Sequence, residues 1–438
     1  MPHDPALLRA LLLLAPLLLG SVLWAARRPR YREKVGILFA LLWNAVSLLA
    51  VNAIAIRVGW WSFGHAGGAF LGVPVDLLFG WSVVWTCLAT LVLPRWPVAV
   101  VVTAAVLGGL WLDGLLMPLT APLVVLHRHW LVGECASLAV CLAPAILLAR
   151  WTADNRHLPR RVMMHVVLFA VVMLWIVPAV VLEQTDGDWS VIATRPLWLN
   201  LVFIQLILLP AVVGISAVQE LSERGSGTPV PLDPPSKLVT SGTYAYVANP
   251  MQTSMCLVFV GWGLLLGSWI VSLASLMIIV FGIGWARWVT KHELERRFGN
   301  QWHDYRATVR SWVPTWRPQP LGNEAPARLY VDLRCAPCRQ VADWIRRRDP
   351  VSLEVIDASK HPSKALARIS YEADSPGDAA PYATRGVVAL ACALGHTHLG
   401  WAYVGWITRL PIVHSVIQVL VDAVGGGALQ ASSSEDQL

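Results

Sequence analysis

The sequence predicts a polytopic all-α membrane protein with a smaller C-terminal α/β domain outside the bilayer. Three observations carry that expectation. Of the 438 residues, 56% are hydrophobic and 14% are charged, and the mean hydropathy is +0.57, a balance that belongs to membrane proteins. Nine apolar runs are long enough to span, at 6–26, 36–56, 75–93, 97–117, 131–149, 162–182, 197–217, 251–266 and 269–289. After residue 327 the pattern changes to short strands alternating with a helix.

Basic residues set the orientation of those runs. Arg27, Arg28, Arg30, Arg32 and Lys34 follow the first; Arg150, Arg156, Arg160 and Arg161 follow the fifth; Arg287, Lys291, Arg296 and Arg297 follow the ninth. The alternate loops are poor in Lys and Arg, and Glu183, Asp186 and Asp188 lie in one of them. Nine spans then predict an outside N-terminus and a cytosolic C-terminus. The five cations after the first run, with no convincing cleavage site, favour a retained anchor over a signal peptide. The sequence pI of 9.2 reads as a positive-inside bias and attraction to anionic lipid, and nucleic-acid binding is not expected.

Residues 1–195 form a first, six-span region. Gly72-Val73-Pro74-Val75-Asp76 precedes Trp81, and Asp113 precedes Pro118. This arrangement resembles membrane enzymes of carotenoid biosynthesis, whose helix ends carry similar Pro-acid and Asp…Pro pairs, and an ionisable group near a span end can point into a polar cavity. The reading favoured from the residues places Asp76, Asp113 and Glu134 at the interface, snorkelling to water. The 23 Trp read mostly as an interfacial belt.

The stretch from Gly225 to Pro318 organises the rest. It opens with Gly225-Ser226-Gly227-Thr228-Pro229-Val230-Pro231-Leu232-Asp233-Pro234-Pro235 and continues with Leu238-Val239-Thr240-Ser241-Gly242-Thr243-Tyr244-Ala245-Tyr246-Val247-Ala248-Asn249-Pro250-Met251. An apolar hairpin follows, then a basic segment with Glu293, Phe298-Gly299, Trp302, Tyr305 and Trp312-Val313-Pro314. The loop holds too much Gly and Pro for a helix, so it must line something. Loop and tail together resemble the superfamily of isoprenylcysteine carboxyl methyltransferases and phospholipid methyltransferases, which read G-T-P-x-P-x-D-P-P, L-V-x-x-G-x-Y-x-Y-V-R-N-P-M and F-G-x-x-(Y/W)-x-x-Y. Two positions depart from the pattern: Ala248 replaces the usual Arg, and Thr290-Lys291 replace an acidic pair, leaving Glu293 the nearest carboxylate.

The resemblance implies a domain over 196–318 that binds S-adenosylmethionine from the cytosol of a bacterial plasma membrane. It implies a lipophilic acceptor, such as an isoprenylcysteine carboxylate or a lipid, arriving from the bilayer. Gly242 would permit a tight turn, Tyr244 and Tyr246 would contact the donor, and Asn249-Pro250 would end the loop. Trp302 and Tyr305, three residues apart on one face of a surface helix, and Glu293 would complete the donor site. The bland reading makes the aromatics headgroup anchors and Glu293 a solvated helix charge.

A polar linker, 319–327, precedes the C-terminal domain, 328–425, and the tail from 426 to 438 has a disordered composition. Residues 328–332 read as a strand, Cys335-Ala336-Pro337-Cys338 as a turn, 339–348 as a helix and 353–357 as a strand, the opening of a thioredoxin-like fold. Residues 387–424 are helical in pattern, interrupted by Pro411. This half resembles the DCC family of thiol-disulfide oxidoreductase-like domains, with Asp332 keeping one family acid while Leu333 and Arg334 replace Gly-Asp. Cys335 at a helix N-terminus would be the attacking thiolate and Cys338 the resolving thiol, acting on a thiol partner; a fold remnant with idle thiols is the alternative. Cys87, Cys135, Cys141, Cys256 and Cys392 read as small apolar fillers. No metal site is expected, since His127, His129 and His157 lack ligand-like spacing with acids. Two rival functions remain at this point: an NADPH-dependent membrane reductase of the sterol-reductase type, and a redox protein whose methyltransferase scaffold is retired.

Overall fold

The computed structural model describes residues 5–423 apart from 65–67, 88–89, 92–95, 186, 231, 287–293, 320–324, 363–365, 367 and 375–380. Glu293, the Thr290-Lys291 departure, most of the linker and the tail from 426 therefore lie outside the described residues. The chain divides into two compact units, Met1–Val180 and Val181–Leu438.

Among the described residues each of the nine apolar runs falls on helix. Among the described residues six helices are long and apolar enough to cross a membrane: α1 (Pro5–Arg27), α2 (Tyr31–Val58), α4 (Val98–Leu116, continued by a short tighter turn to Thr120), α5 (Trp130–Ala153), α6 (Leu158–Gln184) and α7 (Leu197–Glu223). The three other expected spans fall on shorter apolar helices, α3 (Val75–Cys87), α8 (Pro250–Leu266) and α9 (Trp269–Phe281). A helix of 13 residues rises about 20 Å, short of the hydrocarbon thickness. Among the described residues six helices therefore have the length of a span, or seven if the bent helix pair described below is one span.

In the first unit α2 is the central helix, packed on α3 and along α5. Gly36 makes the latter approach possible, because a Cβ there would lie 2.6 Å from the Ala149 carbonyl oxygen. The buried Asn44 amide donates to Thr86 Oγ1 at 2.9 Å where α2 meets α3. Arg9 on α1 pairs with Asp76 at the start of α3, 2.7 Å apart. One end of the helices is closed by an antiparallel pair of strands, β1 (Trp61–Phe63) and β4 (Val124–Leu126), in register Trp61↔Leu126. A smaller pair, β2 (Ala69–Phe70) and β3 (Val73–Pro74), leads into α3. Leu77, Met117, Leu123 and Val124 pack with Trp61 into an apolar cluster at that end.

In the second unit α7, α8 and α9 pack in succession. Ser254 on α8 donates to the Pro210 carbonyl on α7 at 2.6 Å. Arg195 caps the far end of α8, donating to the carbonyls of Leu264 and Leu265 at 3.2 and 2.7 Å, groups that a helix C-terminus leaves unsatisfied. Ser268 opens α9 by accepting from the Val271 N–H. The polar loop runs from Arg224 to Asn249 without a helix except one tight turn at Gly242–Ala245, followed after α9 by α10 (Asn300–Thr308).

Beyond residue 326 the strands β5 (Ala327–Val331), β6 (Leu353–Asp357), β7 (Ser370–Ala373) and β8 (Tyr382–Arg385) form one sheet in the order β6-β5-β7-β8. β5 and β6 run parallel through the crossover helix α11 (Ala336–Arg346), while β7 and β8 are antiparallel to their neighbours. The expected strands and helix here lie within a few residues of those observed. Leu329, Val331, Ala342, Ile345, Tyr371, Ala389 and Ala393 form the core. The expected helical segment is α12 (Val387–Leu394), α13 (Leu399–Arg409) and α14 (Pro411–Ala423), with a 90° bend between the last two at Pro411, where a missing N–H and a fixed φ stop the helix.

Candidate functional site

Loop and tail are tied together by backbone. Ala248 and Asn249 donate to the carbonyls of Arg310 and Ser311 at 2.8 and 3.1 Å, and Thr315 and Gln319 donate to those of Tyr246 and Ala245, both at 2.9 Å. An irregular segment with no ladder of its own must find such partners to be buried. The chain from 310 to 319 therefore fixes the end of the loop, and the shared pattern of loop and tail has a geometric cause.

Side chains continue the closure. Tyr305 on α10 donates to the Tyr244 carbonyl at 3.0 Å, and its ring lies 6.0 Å from that of Trp302. Tyr246, fully buried, donates to the Gly395 carbonyl at 3.0 Å and meets Trp406 edge-on at 5.5 Å. Tyr244 and Tyr305 are also buried, so these three rings cannot serve as headgroup anchors. Burial holds all three phenols well above their ordinary value, and each remains a protonated hydrogen-bond donor. The Tyr244 hydroxyl and the Thr243 Oγ1 are buried without a hydrogen-bond partner. Asn249 stands at the N-cap of α8 with Pro250 following, and its side chain makes no cap hydrogen bond.

Gly242 has φ +58°, and a Cβ there would meet the Glu220 carboxyl carbon at 2.6 Å. Both facts demand glycine, the first through backbone strain and the second through space. Glu220, near the end of α7 and fully buried, was not foreseen as a site residue. It accepts from the Ser241 hydroxyl at 2.6 Å and pairs with Arg224 at 2.8 Å and Arg409 at 2.6 Å. Arg409, from α13, also reaches Glu223 at 2.8 Å. Tyr382 donates to Glu223 at 2.7 Å, and the Arg224 guanidinium lies 4.2 Å from the Tyr382 ring centre. Burial pulls the Arg224 guanidinium down, but Glu220 and Tyr371 more than offset it and keep the group charged. The only sequence signal for this network was an acid-rich end, Gln219-Glu220-Leu221-Ser222-Glu223-Arg224, on an otherwise apolar helix.

The network extends into the sheet. Tyr371 and His396 Nε2 are 2.8 Å apart, and His396 Nδ1 lies 2.8 Å from the Val351 carbonyl. Burial pulls the His396 imidazole down from its ordinary 6.5 to about 4, with the Arg224 charge acting in the same direction. The ring is therefore neutral at neutral pH, and the Nδ1–H donates to Val351 while Nε2 accepts from Tyr371.

Cys335 and Cys338 are free thiols, both partly buried. Cys335 is the N-cap of α11, and its carbonyl accepts from the Arg339 N–H at 2.9 Å. Burial and the hydrogen bond with Cys335 push the Cys338 thiol up to about 12. Asp332 is turned to the adjacent loop, accepting from the Arg334 N–H at 2.9 Å. Among the described residues no group of three or more His, Cys, Asp or Glu could hold a metal ion.

The acids of the first unit do not lie as the sequence suggested. Asp113 and Glu134 are buried, at 8% and 4% exposure, and do not snorkel to water: the two helices bring them onto each other, a pairing no single-span window can show. Asp76 is partly exposed but held by Arg9.

Two consequences follow from the network. Arg409→Met leaves Glu220 buried with one cation fewer, and removing one partner of a buried pair costs roughly 3–5 kcal/mol; thermal unfolding of the purified chain should show that loss, and Arg409→Lys about half of it. The His396 shift sets a pH window. A depressed folded value makes the unfolded chain bind more protons below 6.5, so stability present above 6.5 falls as the pH drops toward 4. The decline should be roughly 3 kcal/mol, and smaller in His396→Gln, as read from denaturation midpoints between pH 7.5 and 4.

The match with known proteins falls on the first part of this arrangement. A family model described as phospholipid methyltransferase matches residues 200–301, from α7 through the loop and hairpin into α10. No curated protein and no solved structure matches the chain. Over those residues the chain is similar to phospholipid methyltransferases.

Proposed function

We propose that the chain is an integral membrane methyltransferase that takes its methyl group from S-adenosylmethionine and passes it to a lipophilic acceptor entering from the bilayer. The observation that carries this reading is the coincidence of the match at 200–301 with a loop held shut by the 310–319 tail. The donor would sit against Gly242, Tyr244, Tyr246, Asn249, Pro250, Trp302 and Tyr305. The orphaned Tyr244 hydroxyl and Thr243 Oγ1 suit a ligand rich in acceptor atoms. The N–H groups of the first turn of α8, uncapped by Asn249, suit its carboxylate. Bound there, S-adenosylmethionine supplies an electrophilic methyl on a sulfonium. The residues align and exclude water, and buried tyrosines provide both. A carboxylate acceptor arrives ionised and asks no base of the chain, whereas an amine must first lose a proton. The basic segments after α1, α5 and α9 support a loop facing the cytosol, with the N-terminus outside, in a bacterial plasma membrane.

Residues 328–425 are proposed as a DCC-like, thioredoxin-like thiol-disulfide domain. Support comes from the sheet order β6-β5-β7-β8 and from Cys335 at a helix N-terminus with Cys338 one turn on. Helix-end N–H groups favour thiolate at the first position. The second thiol, pushed up to about 12, stays protonated until a mixed disulfide forms.

Titration calorimetry of the detergent-purified chain with S-adenosylmethionine and with NADPH tests the first reading. Binding of the sulfonium donor is expected, and binding of NADPH alone would replace the methyltransferase with a reductase. Pro250→Ala frees a φ that fixes the loop end, and a misplacement of about 1 Å costs around a hundredfold in turnover, so this variant should insert normally yet lose most donor binding or turnover. For the second reading, iodoacetamide at pH 7 should modify Cys335 well before Cys338, with Cys338 reacting readily only as the pH approaches about 12. Equal rates at pH 7, followed by peptide mass spectrometry, would assign both thiols to an idle remnant.

A further inference from the structure

The turn proposed to meet the methyl donor, Ser241 to Val247, is held from three sides. The tail fixes its later residues, with Tyr305 donating to the Tyr244 carbonyl and Thr315 and Gln319 to those of Tyr246 and Ala245. The C-terminal helices fix its flank, where the Tyr246 hydroxyl reaches Gly395 and the ring meets Trp406. Its start rests on Glu220. The Ser241 hydroxyl donates to Glu220 Oε1 at 2.6 Å, and a Cβ on Gly242 would lie 2.8 Å from Oε2. Thr243 and Tyr244, whose side-chain oxygens are buried without partners, follow directly. The orientation of one carboxylate therefore decides where those two side chains stand.

That carboxylate has two cations, one on each oxygen. Arg224 Nε lies 2.8 Å from Oε1, the oxygen shared with Ser241, and Arg409 Nη1 donates to Oε2 at 2.6 Å. Arg409 also grips the rest of the last turn of α7. Its Nη2 donates to Glu223 at 2.8 Å, and its carbonyl accepts from the Gln219 amide at 3.4 Å. With both terminal nitrogens on carboxylates and 7% of the side chain exposed, Arg409 is not placed to touch a ligand itself. Without it, Oε2 is a buried anionic oxygen with no cation, which is costly. The carboxylate must then turn toward Arg224 or water, and Gly242, packed directly on it, must move as well.

We infer that Arg409 is a positioning residue of the donor site, fixing the Glu220 carboxylate and, through Ser241 and Gly242, the turn that carries Thr243 and Tyr244. This rests on the S-adenosylmethionine reading of the loop and adds that the site is incomplete without α13. Coupling of this kind is reciprocal. A donor that settles the turn must also tighten α13.

The test titrates the full chain in detergent with S-adenosylmethionine by calorimetry and follows amide hydrogen exchange with and without it. In the parent, the donor should slow exchange both at 241–249 and at 399–409. Arg409→Met should weaken donor binding about a hundredfold, and Ser241→Ala roughly tenfold. Ser241→Ala keeps both ion pairs, so its thermal midpoint should stay near the parent's, and it serves where Arg409→Met fails to fold. Arg409→Lys returns a cation to Oε2 and should recover most of the lost affinity. Adding Ser241→Ala to Arg409→Met should cost little more, because both act through one carboxylate. Asp422→Asn removes an ion pair with Arg368 elsewhere among the C-terminal residues and should bind like the parent. Three results would each overturn the positioning role alone: a parent that binds the donor alongside variants that bind it equally well, losses in the double variant that simply multiply, or donor protection confined to the loop. A parent that takes no S-adenosylmethionine would overturn the methyltransferase reading and this inference together.

Discussion

A single buried carboxylate holds the second unit together. Glu220 lies at the end of an apolar helix with no exposed surface, and such a group is tolerable only when cations and hydrogen bonds replace the water it has lost. Arg224 comes from the turn that follows and Arg409 from a helix far along the chain, while Ser241 supplies a hydroxyl from the loop. Each of these places a different segment. Helix, loop and C-terminal helices are fixed by their need to satisfy one charge. Gly242 is then the residue next to Ser241 that must have neither side chain nor ordinary φ.

This geometry changes the meaning of the C-terminal residues. The polar stretch around 319–327 reads as a linker between separable parts, yet Trp316 accepts from the Leu399 N–H at 2.8 Å and Tyr246 rests on Trp406 and Gly395. The sheet and its helices share a core with the loop through Tyr246, Ala402 and Trp406. Residues that bear a thiol pair and residues that match a methyltransferase family thus belong to one packed body.

What could be read from the sequence was local. Among the described residues each of the nine apolar runs falls on helix, Pro250 begins one and Pro411 breaks another, and the βαβ opening around Cys335 folds with strand boundaries close to those expected. Periodicity, Gly and Pro act within a few residues of themselves, so one chain suffices to see them. Span length was harder: among the described residues α3, α8 and α9 are apolar helices shorter than 18 residues. The contacts missed were all long-range. Arg409 is one arginine among many until the fold sets it on Glu220, and Asp113 and Glu134 each look interfacial until two helices are laid side by side. Of the expected donor residues, Gly242, Tyr244, Tyr246, Asn249, Pro250, Trp302 and Tyr305 fall in one neighbourhood of loop and tail, and Glu293 lies outside the described residues.

The separation between Glu220 and Arg409 is 189 residues. At a synthesis rate of about 5–20 residues per second, the carboxylate leaves the ribosome roughly 10–40 s before its second cation exists. Until then only Arg224, one helical turn away, can neutralise it, and the loop carrying Ser241 and Gly242 has no reason to settle. The end of α7 must wait in water or at the lipid headgroups, half paired, while the hairpin, the tail and the whole sheet are made. Assembly of this unit is therefore gated by a helix synthesised long after α7, and a nascent protein stalled before α13 would insert its helices yet leave its loop open.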